Sequence, residues 1–300
     1  MPLTLTLTLL LSVLIGLSLG MLGGGGSILT VPILTYVAGL DPKEAIAASL
    51  FVVGVTSAVS AITHARHQRV RWRTGLVFGA AGMAGAFAGG LIGGRIPGTI
   101  LMVAFALMML TTSIAMIRGR KKHSQEAGEK KLPLARIVVD GLVVGLVTGL
   151  VGAGGGFLVV PALALLGGLA MPIAVGTSLV VIAMKSFAGL AGYLTTVSLD
   201  WGLVLGVTAA AVLGSFVGAK LAGRIPEAAL RKGFGYFVLL MGVFVLVQEL
   251  PAPGNIILGI GAAALGAAVL LCRFAIPSCP LPRDAAVNTT LGTKDASITT

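Results

Sequence analysis

The chain has 300 residues, of which 56% are hydrophobic and 10% charged. A soluble domain carries about a quarter charged residues, so this composition excludes one. The formal net charge of +11 sits mostly in two short stretches, 64–73 and 118–136, with no interleaved aromatic platform, which argues against nucleic acid as a partner. Those cations read as topology signals, with a secondary pull on anionic lipid or an anionic solute.

In chain order, apolar stretches run over 3–38, 44–63, 74–94, 98–118, 137–168, 172–194, 201–223, 232–250 and 254–273. Recurrent runs of about 20 apolar residues predict a polytopic all-α membrane protein. Strand-like alternation at a period of two is missing, which argues against an outer-membrane barrel. The N-terminal "MPLTLTLTLLLSVLIG" lacks the positive flank of a cleaved signal peptide and reads as the first membrane helix. The first and fifth stretches are too long for one span, and each contains a glycine run and a proline: "GMLGGGGSILTVPIL" at 20–34 and "GLVGAGGGFLVVPAL" at 149–163. These predict helices broken at glycine into membrane hairpins. The tail 274–300, rich in Pro, Ser and Thr, reads as disordered. Cys272 and Cys279 read as incidental thiols rather than a disulfide or metal pair.

The two glycine runs belong to a longer repeat. Sliding the sequence on itself by 129 positions puts Pro32 on Pro161, Gly16, Gly20 and Gly23 on Gly145, Gly149 and Gly152, and Trp72 on Trp201. It also puts Ser49-Leu50 on Ser178-Leu179 and Gly94-Arg95-Ile96-Pro97 on Gly223-Arg224-Ile225-Pro226. The expected organisation is a first transmembrane repeat over 1–118, a basic linker 119–131, a second repeat over 132–250, an extra helix 254–273 and the tail. Equivalent loops alternate in basicity. "HARHQRVRWR" in the first half answers to "TTVSLDWG" in the second, whereas the basic "RIPEAALRK" of the second answers to "RIPGTI" of the first. The positive-inside rule then puts equivalent loops on opposite sides, giving an inverted-topology repeat with the linker and tail cytoplasmic.

Candidate function-bearing residues follow from the repeat. Gly24, Gly25, Gly26 and Ser27 form one break and Gly154, Gly155 and Gly156 the other. Glycine permits unusual backbone angles and close approach of a ligand. The N–H groups of the restarting half-helices, with the positive end of the helix dipole, suit an anion. The competing reading is tight helix packing through small residues. Ser49, Ser178 and Thr177 open the helices after the hairpins and could bind an oxyanion or bond back to their own helix. Lys185 is an ionisable residue deep in an apolar segment, seven residues after Ser178 and so on the same helical face. A charge there is costly and marks a functional site, with no carboxylate at matching depth. His64, Arg66 and His67 flank a helix end. Arg95 and Arg224 anchor the two "GRIP" turns, and Trp72 and Trp201 occupy interfacial positions. Gly82, Gly85, Gly89 and Gly93 make a close-packing surface without chemistry.

The paired "GGGGSILTVPIL" and "GAGGGFLVVPAL", the following "GTSL", the "HARHQRVRWR" loop and the "GGRIP" turn resemble the TauE/SafE sulfite exporter family over residues 3–250. The resemblance implies a multi-pass bacterial-type inner-membrane transporter of sulfite, sulfoacetate or another sulfur-containing organic anion. The first half departs from it, with "AASL" where the second keeps "GTSL", and Lys185 is not general to the family. The reading that follows is a secondary transporter of a small anion, by alternating access at a site between the repeats. The rivals are a passive anion channel and a membrane-embedded enzyme. The enzyme lacks paired carboxylates, a Ser–His pair within one segment and a metal cluster. No cofactor is expected; coupling to H⁺ or Na⁺ is left open, and a homo-oligomer is compatible with the sequence.

Overall fold

The computed structural model describes residues 2–22, 25–118, 134–152, 154–156, 159–160, 163, 169, 171–221 and 227–250. The chain divides into two units, Met1–Pro251 and Ala252–Thr300. The basic linker, the extra helix 254–273, the tail with Cys272 and Cys279, the second "GRIP" turn and Gly23 and Gly24 lie outside the described residues. The described residues are helical, with no strand among them.

Nine α-helices are described: α1 Pro2–Leu22, α2 Thr30–Tyr36, α3 Pro42–Arg66, α4 Trp72–Gly93, α5 Gly98–Arg118, α6 Leu134–Val151, α7 Met171–Tyr193, α8 Trp201–Leu221 and α9 Glu227–Glu249. Five of them, α1, α3, α4, α7 and α8, are long and apolar enough to cross a membrane. Local chemistry sets several ends. α3 starts with Pro42 in its first turn, where the missing N–H is not needed, and carries Glu44 against the positive end of the dipole. α8 starts after Asp200, whose Oδ1 accepts the Gly202 and Leu203 N–H groups at 2.9 and 3.3 Å. α2 is followed by Gly39 at φ +75°, while the Leu40 N–H returns to the Leu34 carbonyl at 3.1 Å.

α3 and α7 form the centre. Two-thirds of each is buried, against 28–44% for the other three long helices. They pack against each other and run antiparallel. Gly176 near the start of α7 lies against His64 at the end of α3, and Gly54 of α3 lies on the Phe187 ring of α7. Around them, α1 packs on α8, α4 on both α6 and α7, and α5 on α9.

The outer contacts are made backbone to backbone, at glycine. A Cβ on Gly85 or Gly89 of α4 would overlap the carbonyl of Leu142 or Leu146 on α6. The close-packing surface read from the sequence is thus an α4–α6 interface. The same contact recurs 129 residues away: Gly214 meets Val13 as Gly85 meets Leu142, and Gly218 meets Leu17 as Gly89 meets Leu146. Likewise Gly16 meets Ala211 as Gly145 meets Gly82, and Gly20 meets Ser215 as Gly149 meets Ala86. The first helix of each sequence half therefore packs on the third long helix of the other half. Without a hydrophobic drive between helices in lipid, such close approach supplies dispersion contact.

Candidate functional site

Both glycine runs interrupt helices. α1 stops at Leu22, a 3-10 turn runs Gly25–Leu29, and α2 begins at Thr30, three residues later than a half-helix opening at Ser27. Tighter 3-10 winding is common at helix starts. Gly25 and Gly26 fall in this turn, and Ser27 is buried at its centre.

In the second run the backbone is left-handed at Gly152, Gly154 and Gly155, with φ of +73°, +59° and +64°. Only glycine adopts this region without a Cβ penalty. The Gly152 N–H ends α6 on the Thr148 carbonyl at 3.0 Å, and the Val159 N–H bonds the Gly155 carbonyl at 2.9 Å as a helical turn restarts.

The two breaks meet. A Cβ on Gly154 would lie 3.5 Å from the Ser27 Cβ and would overlap Val53 of α3. Ser49 of α3 donates its hydroxyl to the Gly152 carbonyl at 3.0 Å. A Cβ on Gly155 would strike both the Lys185 ammonium and the Thr148 methyl. Lys185, 1% exposed, donates from Nζ to Thr148 Oγ1 at 3.0 Å. Thr148 in turn donates to the Gly145 carbonyl at 3.2 Å. An ammonium has three protons to place. Among the described residues Thr148 is its hydrogen-bond partner, and no carboxylate pairs with it. Lys185, Thr148, Gly152, Gly154, Gly155, Ser27 and Ser49 are thus linked by successive contacts, with Gly156 buried at the restart.

Thr177 and Ser178 have other partners. Thr177 Oγ1 accepts the Arg71 N–H at 3.0 Å where α4 begins, and its methyl lies on Gly75. Ser178 donates to the Val175 carbonyl of its own helix at 2.7 Å.

Sequence reading missed Thr148, Ser57 and Ser186. The hydroxyls of Ser57 and Ser186 are buried with no hydrogen-bond partner, as is that of Thr30 at the start of α2. Ser57 and Ser186 fall on each other at the 129-residue offset, a signal that was available. The same offset sets Lys185 on Thr56, whose hydroxyl bonds the Val52 and Val53 carbonyls at 2.7 and 3.2 Å. The centre therefore has one cation where exact symmetry would give two equivalent residues. Nothing paired for acid–base or nucleophilic chemistry accompanies it among these residues. Backbone dipoles, hydroxyls and one ammonium can bind a small anion reversibly.

Comparison with known proteins agrees in kind. The family described as sulfite exporter TauE/SafE matches residues 8–245. A probable membrane transporter protein of Xylella fastidiosa (strain 9a5c) is 32% identical over 238 residues, covering 78% of this chain and 91% of its own length. A probable membrane transporter protein of Methanocaldococcus jannaschii is 28% identical over 264 residues, covering 80% and 96%. The probable membrane transporter protein YdhB of Bacillus subtilis is 26% identical over 243 residues, covering 80% and 99%. No solved structure matches significantly. With most of its length matched and its long helices apolar enough to span a bilayer, the chain belongs to the sulfite exporter TauE/SafE family of membrane transporters.

Proposed function

We propose that the protein is a secondary transporter of a small anion, sulfite or an organosulfonate, in the inner membrane. It works by alternating access between two halves of inverted topology. The observation that carries the reading is Lys185, a buried cation beside Gly155 with no carboxylate against it among the described residues. An unpaired charge in a low-dielectric interior is costly, and a bound anion offsets that cost. The left-handed glycines admit the anion to the backbone, and Ser49 and Thr148 hold the break and the ammonium in place. The antiparallel α3–α7 pair and the contacts repeated at the 129-residue offset support inverted halves. On this reading the basic loop 64–73 and the linker face the cytoplasm.

The test is uptake of radiolabelled sulfite and sulfoacetate in proteoliposomes, with and without H⁺ or Na⁺ gradients, for wild type and Lys185→Ala. A charge-assisted contact is worth about 1.5–3 kcal/mol, so KM is expected to rise about 10–100-fold. Unchanged KM in Lys185→Ala removes Lys185 from the site. A rate that lacks stimulation by anion on the far side makes the protein a channel instead of a carrier.

A further inference from the structure

The glycine contacts of α1 with α8 repeat those of α6 with α4, but at one end of the central helices the two halves part. At the end of α7, Gly90 of α4 sits on the Gly189 carbonyl, Gly192 sits on the Phe87 carbonyl, and Gly93 sits on the Tyr193 hydroxyl. Tyr193 is buried and donates its hydroxyl to the Leu150 carbonyl of α6. This end is closed. The residues 129 positions from Gly189, Gly192, Tyr193 and Gly90 are Ser60, Thr63, His64 and Ala219.

All four of those line a narrow cleft of about 30 Å³ at the end of α3, between α1, α7 and α8. The difference is written in the residues. A Cβ at Gly90 or Gly192 would overlap the facing backbone, so the Cβ atoms of their counterparts Ala219 and Thr63 keep α3 and α8 from closing as α7 and α4 do. The cleft runs from exposed Thr63 and Phe216 to buried Leu19 and Leu179. The Nδ1 of His64 is buried with no hydrogen-bond partner. At the mouth lies the loop 64–73, with exposed Arg66, Arg69, Arg71 and Arg73.

We propose that this cleft is a vestibule that binds the small oxyanion at Ser60, Thr63 and His64 on the basic-loop side. The Tyr193–Leu150 bond seals the opposite side, so the resting protein is open toward the basic loop. The proposal rests on the transport reading above. The cluster of arginines raises the local anion concentration at the mouth, the hydroxyls and the imidazole supply donors, and the missing seal leaves the path open.

The test uses full-length protein with Cys272 and Cys279 replaced by Ser, in membrane vesicles of both orientations, with a membrane-impermeant maleimide and sulfoacetate as probe. Ser60→Cys reports the vestibule. Ala86→Cys, 129 positions from the cleft-lining Ser215, reports the sealed side. The expected result is labelling of Ser60→Cys only from the face that labels Arg73→Cys. Sulfoacetate at ten times its half-saturating concentration slows that labelling about tenfold. Ala86→Cys labels far more slowly, and adding Tyr193→Phe, which keeps the ring and deletes the hydrogen bond, speeds it about fivefold. Equal rates at the two cysteines, or labelling of Ser60→Cys indifferent to sulfoacetate, overturns the proposal. Sulfoacetate uptake by vesicles holding the protein with only Cys272 and Cys279 replaced, and Ser60 intact, separates it from the transport reading. Uptake with unprotected labelling overturns the vestibule alone. Protected labelling without uptake upholds the vestibule and removes transport of sulfoacetate.

Discussion

Gly155 and Ser49 differ in how much the structure asks of them. Gly155 is left-handed and sits where a Cβ would meet both the Lys185 ammonium and Thr148. Gly155→Ala therefore carries a left-handed penalty of about 1–2 kcal/mol and also displaces the ammonium. The expected outcome is loss of uptake with protein still present in the membrane, read by comparing transport with the amount of detergent-extracted protein. Ser49→Ala removes one hydroxyl bond to the Gly152 carbonyl. Hydrogen bonds between membrane helices average about 0.6 kcal/mol and reach about 1.7, so KM or maximal rate should change less than about 20-fold. A larger loss in Ser49→Ala would mean that this hydroxyl touches the anion itself. Thr148→Val keeps the shape and deletes the acceptor for Lys185. It should raise KM in the same direction as Lys185→Ala but by a smaller factor. Lys185 stood out in the sequence because it is a charge deep in an apolar run. Thr148 did not, because threonine in a membrane helix is unremarkable until its hydroxyl is seen to hold that charge.

Among the elements, the helix pairs depend on absent side chains. Gly85 and Gly89 let α4 meet α6 at backbone distance. Gly89→Leu should separate these helices and lower thermal stability in detergent, since overpacking a close interface costs typically about 1–3 kcal/mol. Substituting exposed Ile92 of the same helix by Leu should leave stability unchanged, as it is 46% exposed on the outer face. The helices themselves were legible as apolar runs of spanning length, and the breaks as glycine runs. The length of the first half-helix was not: α2 covers Thr30–Tyr36 because a 3-10 turn takes up Gly25–Leu29. Winding at a helix start depends on what the turn packs against, and Ser27 and Ile28 are buried there.

Across the whole molecule the first helix of each half packs on the other half, α1 on α8 and α6 on α4. Neither half owns the partner its first helix needs. Residues 1–118 expressed alone are expected to be degraded, as are residues 132–300. Co-expression should restore both, read by protein level and anion uptake; a stable fragment 1–118 on its own would contradict this interlocking. From the sequence by itself came the apolar helices, the 129-residue repeat, the glycine breaks, the buried lysine and the family resemblance. Each is a property of residue type and spacing along one chain. Only the tertiary structure decided that the breaks meet at Ser27 and Gly154, that Thr148 holds Lys185, that Thr177 bonds the start of α4, and that Tyr193 bonds the Leu150 carbonyl. Those outcomes depend on which helix lies beside which, and spacing along one helix carries no information about the neighbour across the gap.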